Sequence, residues 1–113
     1  MPFIDSKVSK KLTDEQKEAV KTRLGEAITL MNKTETYLMV GFKDEYDLFF
    51  GGKKVEAGAY VEVSVFGEAK PELCSNMTQA ICKIFKEELD IPSDRVYITY
   101  HGDRNWGWNG KNF

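Results

Sequence analysis

The chain opens MPFIDSKV, with Pro2 directly behind the initiator methionine. Within a polypeptide the prolyl nitrogen is an amide and takes no part in proton transfer. At a free N-terminus it is a secondary amine, expected somewhat above the α-amino pKa of ~8. An apolar pocket or a nearby cation lowers such a value toward the pH at which a general base works best. The plainer role for Pro2 is structural, because proline is tolerated at the first residue of a strand, where its missing N–H costs little. Other reactive side chains are few. Cys74 and Cys82 lie eight residues apart on a helical pattern, too far along one helix to bridge each other, and read as inert core thiols. His101 is the sole histidine; no cysteine or carboxylate cluster is evident around it, so it is expected at the surface without a catalytic role. Gly51-Gly52-Lys53-Lys54 lacks the GxxxxGKS/T pattern of a phosphate loop.

Positioning these residues falls to one domain of 113 residues. A chain of this size buries roughly two-thirds of its unfolded surface, enough for a core. Its formal net charge of −2 gives no sign of the basic face that nucleic-acid binders use for counterion release. No stretch approaches the ~20 apolar residues of a membrane span. The N-terminus lacks the basic-then-apolar layout of a signal peptide. The expected location is the cytoplasm, or outside the cell after export without a signal peptide.

Residues 2–8 read as a short strand. Thr13 is placed as a helix N-cap, Gln16 completes a capping box, and Asp14 and Glu15 fill the first turn. Val20, Leu24, Ala27, Ile28 and Met31 recur at helical spacing, and the helix is expected to end near Asn32. Residues 36–42, TYLMVGF, form an almost continuous apolar run that reads as a buried parallel strand. Tyr46 to Phe50 reads as a short strand and Gly51-Gly52 as a tight turn. AYVEVSVF at 59–66 alternates, with Val61, Val63 and Val65 on one face. Residues 70–89 carry a second helical stripe of Leu73, Cys74, Met77, Ala80, Ile81, Ile84 and Phe85, with Pro71 near the start. RVYITYH at 95–101 alternates again.

Strand–helix–strand therefore occurs twice. Each half is a βαβ unit with parallel flanking strands and a right-handed crossover. The expected fold is α/β (α+β in some schemes): two βαβ units forming a four-stranded mixed sheet with two helices on one face. The other face is left bare, with Tyr60, Tyr97, Tyr100 and the tryptophan-rich tail supplying apolar surface. Exposed patches of that size mark an interface, and symmetric self-assembly is the simplest way to cover one.

A duplicated βαβ chain of this length, with Pro2 behind Met1, resembles the macrophage migration inhibitory factor (MIF) family of the tautomerase superfamily. The resemblance runs over residues 1–113 as a single MIF-like domain. It rests on Pro2, on Lys33 four residues before Tyr37, on FFGG at 49–52, on DRVYI at 94–98, and on WGWNG at 106–110 before a terminal NF. It implies a homotrimer with helices outside, a central solvent channel, and active sites between neighbouring subunits. It implies removal of Met1, so that Pro2 acts as general base in keto–enol tautomerisation of a phenylpyruvate-like or dopachrome-like substrate, with no redox cofactor and no metal. Lys33 would hold the substrate carboxylate or the developing negative oxygen. Tyr97 of the adjacent subunit would line the pocket and offer its hydroxyl. Val65 would offer its backbone N–H and a side-chain contact. Phe3 would be an apolar neighbour of the base, and Tyr37, Thr99, Trp106, Trp108 and Phe113 would complete the substrate-binding surface. Without the resemblance, Lys33 reads as a solvated charge at a helix C-terminus, Tyr97 as interface packing, and the tryptophans as hydrophobic anchors.

Several positions depart from the family pattern. No cysteine stands at 57–60, where some members carry the Cys-x-x-Cys credited with thiol oxidoreductase activity, so that activity is not expected. Thr99 replaces a common asparagine. In Ser64-Val65-Phe66-Gly67, Phe66 stands where glycine is usual and is expected to narrow the pocket or push the loop aside. Thr34-Glu35 follows Lys33 in place of the usual prolines. The resemblance also implies an alternative function: a secreted, cytokine-like ligand of a cell-surface receptor, with a weak or vestigial tautomerase site.

Overall fold

The computed structural model describes residues 1–112. Pro2–Val8 forms β1, and Thr13 caps α1, Asp14–Ala27. The capping box is complete: Thr13 Oγ1 accepts from the Gln16 N–H at 3.1 Å, and Gln16 Oε1 accepts from the Thr13 N–H at 2.9 Å. α1 tightens into a 3₁₀ turn, Ile28–Met31, and stops at Asn32, which adopts the left-handed conformation common at helix ends. A second 3₁₀ turn, Glu35–Tyr37, leads into β2, Met39–Lys43. A short hairpin follows, β3 (Phe49–Phe50) against β4 (Lys53–Lys54). Its turn residues Gly51 and Gly52 have φ of 59° and 83°, a left-handed region that glycine enters at no steric cost. Then come β5 (Ala59–Phe66), α2 (Pro71–Leu89) and β6 (Val96–Asp103). A last hairpin pairs β7 (Gly107–Trp108) with β8 (Lys111–Asn112).

The main sheet has the order β2-β1-β5-β6. β1 and β2 are parallel, β5 and β6 are parallel, and the central pair β1–β5 is antiparallel. Two βαβ units thus lie side by side, in the mixed four-stranded sheet expected. The pleat sends Ile4 and Val8 of β1, and Val61, Val63 and Val65 of β5, to the helix side. There they form one core with Val20, Leu24, Ile28, Met77, Ile81 and Phe85.

Three expectations change. Residues 36–42 are not one buried strand: the chain turns at Glu35–Tyr37, and β2 begins at Met39 on the sheet edge, with no residue fully buried. Tyr100 faces the helices, its hydroxyl 2.7 Å from Thr78 Oγ1, and burial pushes its phenol up to about 12. The uncovered face is charged along its middle instead of apolar. Lys7 Nζ lies 3.1 Å from Glu62 Oε1 and 3.7 Å from Asp5 Oδ2. The Tyr60 hydroxyl is 2.8 Å from Thr99 Oγ1, and His101 Nε2 is 3.3 Å from Thr99 Oγ1 and 3.8 Å from Glu62 Oε2. Strand pairing, not sequence proximity, gives the lone histidine its carboxylate neighbour. Cys74 and Cys82 are half-buried, and burial raises the Cys74 thiol, in keeping with an inert role.

Candidate active site

β1 begins where β5 ends, with Pro2 opposite Val65. Pro2 is buried. The turn after α1 flanks it on one side and the C-terminal hairpin on the other. Met1, Pro2, Phe3, Thr36, Tyr37, Met39, Trp106, Gly107 and Trp108 line a cleft of about 380 Å³ between them. The Tyr37 and Trp108 rings close the two flanks together, edge to face, with centroids 5.7 Å apart and planes at 73°.

Lys33 is bonded to the segment beside the cleft. Its Nζ donates to the Phe66 carbonyl at 2.9 Å, and the Phe66 N–H donates to the Met1 carbonyl at 3.1 Å. One peptide segment therefore ties the ammonium to the N-terminus. The Met1 amino group is held below its ordinary pKa, first by burial and then by the Lys33 cation. An amine in this position is drawn toward its unprotonated, proton-accepting form. The turn carrying Lys33 has a seat of its own: the Glu35 side chain rests against Gly25 of α1, in space that any side chain at 25 would fill. This contact belongs to the Thr34-Glu35 segment that replaces the prolines usual in the family pattern.

Of the expected site residues, Pro2, Tyr37, Trp106 and Trp108 share the cleft, and Lys33 is bonded to the segment beside it. Val65 points its side chain into the core at 1% exposure, which leaves only its backbone for the site. Tyr97 does not reach the cleft within one chain. It pairs with Tyr60, five residues from Val65 along β5, about 17 Å at the rise of a strand. Tyr97 instead lines a smaller recess of about 90 Å³ with Leu48, Phe49, Phe50, Val55 and Arg95. There the Phe50 and Tyr97 rings are 5.7 Å apart, and the Arg95 guanidinium lies 4.3 Å from the Phe50 centroid. Thr99 pairs with Glu62 on the charged face. Phe113 lies outside the described residues. Phe66 bears on the site through its backbone; its ring is not among the groups lining the cleft. Thr36 and Met39 line the cleft unforeseen, because their apolar segment reads as core when periodicity is the only guide.

Among the described residues, no three His, Cys, Asp or Glu side chains are grouped to hold a metal ion, and no helix is long and apolar enough to cross a membrane.

The family model for Macrophage migration inhibitory factor (MIF) matches residues 1–113. A macrophage migration inhibitory factor from Xenopus laevis is 45% identical over 38 residues, a segment that spans 32% of this chain and 33% of the frog protein. The crystal structure of Leishmania major MIF2 superposes with a TM-score of 0.93 at 32% identity, covering 100% of this chain and 97% of that one. A macrophage migration inhibitory factor homologue from Prochlorococcus marinus superposes with a TM-score of 0.87 at 26% identity, covering 98% of each chain.

Proposed function

This chain belongs to the macrophage migration inhibitory factor (MIF) family, and we propose that it is a cofactor-independent keto–enol tautomerase acting on phenylpyruvate-like aryl α-keto acids or dopachrome-like substrates. Met1 is removed, and Pro2 becomes an N-terminal secondary amine. The observation that supports this reading is the placement of the chain terminus: Met1 and Pro2 line the cleft, and Phe66 ties Lys33 to Met1, where burial and the Lys33 cation lower the pKa of an amine. Burial and the neighbouring ammonium act on whichever amine heads β1.

With phenylpyruvate, the Pro2 nitrogen takes a proton from the carbon next to the ketone. The C–H electron pair becomes the new carbon–carbon π bond, and the carbonyl pair moves onto oxygen. The protonated amine then returns its proton to that oxygen, which releases the enol and restores the base. The Lys33 ammonium offsets the negative charge of the carboxylate or of the developing enolate. The aryl ring packs against the surface that Tyr37 and Trp108 form together.

The active form is a homotrimer in which the Tyr97 end of one protomer meets the Pro2 cleft of the next. The position of Tyr97, 64% exposed and far from Pro2 in its own chain, supports this arrangement. Thr99 joins the same shared surface.

The test uses protein whose intact mass shows Met1 absent. Such protein is expected to tautomerise phenylpyruvate. Pro2→Gly, or protein that retains Met1, should lose about 100-fold or more in kcat/KM, the scale of a general base, while sedimentation still shows a trimer. Unchanged turnover in either sample removes Pro2 from the mechanism. Receptor binding, in contrast, makes no demand on the Pro2 nitrogen.

A further inference from the structure

Chain termini usually fray and lie open to peptidases unless a sheet or a docked helix ties them down. Here the sheet reaches almost to the first residue. Pro2 is buried and is already part of β1. In the order β2-β1-β5-β6 that strand is paired along both edges. Pro2 stands opposite Val65, and Phe3 stands opposite Ser64 on one side and Met39 on the other. The Met1 carbonyl accepts the Phe66 N–H at 3.1 Å. Ile4, two residues beyond Pro2, is fully buried in the core.

The peptide bond between Met1 and Pro2 is therefore held on both of its sides. An aminopeptidase must take the terminal residue into its pocket, seize the carbonyl and draw in the residues that follow. Here Phe66 engages that carbonyl, and Pro2, Phe3 and Ile4 belong to the sheet. Reaching the bond means lifting the start of β1 out of its neighbours, which is a local unfolding. Cleavage is then limited to the small population that is open.

The partners of β1 are also made late. β2 begins at Met39, and the β5 partner of Pro2 is Val65. At ~5–20 residues per second, Val65 follows Pro2 out of synthesis by roughly 3–13 s. Throughout that interval Pro2 has no antiparallel partner.

We propose that Met1 is removable only before β1 docks between β2 and β5, so that the folded domain protects its own Met1–Pro2 bond. The reaction that supplies the free prolyl amine is hydrolysis by an aminopeptidase acting on the growing or unfolded chain. Water adds to the Met1 carbonyl carbon, and the bond from that carbon to the Pro2 nitrogen breaks. Methionine leaves as the free amino acid, and the nitrogen takes up a proton as a secondary amine. A chain that folds with Met1 in place stays in that form. The effect of this sorting on turnover rests on the tautomerase reading; the protection itself does not.

The test uses the full chain, synthesised with Met1 in place and folded, and a peptide of its first ten residues, MPFIDSKVSK. Both are incubated with a methionine aminopeptidase, and intact mass follows the loss of Met1. The folded chain is expected to lose Met1 at least about 100-fold more slowly than the peptide. A full chain carrying Val63→Asp and Ile81→Asp, which puts two carboxylates into the core and prevents folding, should be cut within about threefold of the peptide's rate. A folded chain cut as fast as the peptide overturns the proposal. So does an unfolded variant that stays protected, because the fold would not be the cause. A peptide that is not cut overturns it too, because the bond would be closed to the enzyme before folding as well. If the folded chain is protected and Met1-free protein does not tautomerise phenylpyruvate, the protection stands and the tautomerase reading fails. If Met1-free protein turns over and folded Met1 is cut at the peptide's rate, the tautomerase reading stands and the protection fails.

Discussion

The two ends of β5 hold different materials. At the Val65 end lie the chain terminus, an ammonium, a buried indole N–H and an aryl wall built from Tyr37 and Trp108. At the Ala59 end lie Phe49, Phe50 and Tyr97, with Arg95 stacked on Phe50 and no base among the lining residues. One end has the amine and the ammonium; the other has an aromatic wall and neither group. A stiff strand holds them about 17 Å apart, so they do not cooperate within a protomer. A closed ring of identical chains joins unlike ends at every contact. On the proposed mechanism, a protomer carries two half-sites. The first is switched on by loss of Met1, and the second by assembly.

Three substitutions probe this division. Lys33→Met removes the cation at the Val65 end and should cost about 100-fold in kcat/KM, the scale of one electrostatic stabiliser, with the trimer intact. A loss below about threefold would take Lys33 out of the site. Tyr97→Ala, at the other end, should cost roughly tenfold in kcat/KM, as loss of one charge-assisted hydrogen bond does. Its sharper use is in mixing. When Tyr97→Ala and Pro2→Gly chains are unfolded and refolded together, about a quarter of the sites in random trimers combine an intact Pro2 with an intact neighbouring Tyr97. Activity should rise to that level over the unmixed variants. No rise would mean that each protomer works alone. Arg95→Ala is the mildest: loss of the cation–π contact, worth ~0.5–1 kcal/mol, should lower the thermal midpoint by about 2–4 °C and leave turnover per trimer unchanged.

Legibility in the sequence follows locality. The Thr13–Gln16 capping box sits within four residues and is readable outright. The alternation of β5 and the stripe of α2 give the buried faces correctly, because Val61, Val63, Val65, Met77, Ile81 and Phe85 all lie in the core. The run at 36–42 misleads, because Met39 is apolar for the sake of a cleft and periodicity does not record which surface an apolar residue serves. Tyr97 and Tyr100 do not share a face, since an odd spacing along a strand puts them on opposite sides; counting aromatics without their parity hides this. Glu62 beside His101 has no local signal at all, since the two come from different strands.

The two βαβ units, their order, the core stripes and the unusual placement of Pro2 are written in the amino-acid order alone. Each of these depends on hydrogen-bond periods and caps that act over a few residues. Folding in three dimensions was needed to bond Lys33 to Phe66, and Phe66 in turn to Met1. It was needed as well to bring Trp106 to the same cleft, and to set Tyr97 at the far end of the sheet. Those outcomes come from strand register and from packing such as Glu35 on Gly25, which join residues far apart in the chain and leave no periodic trace in it.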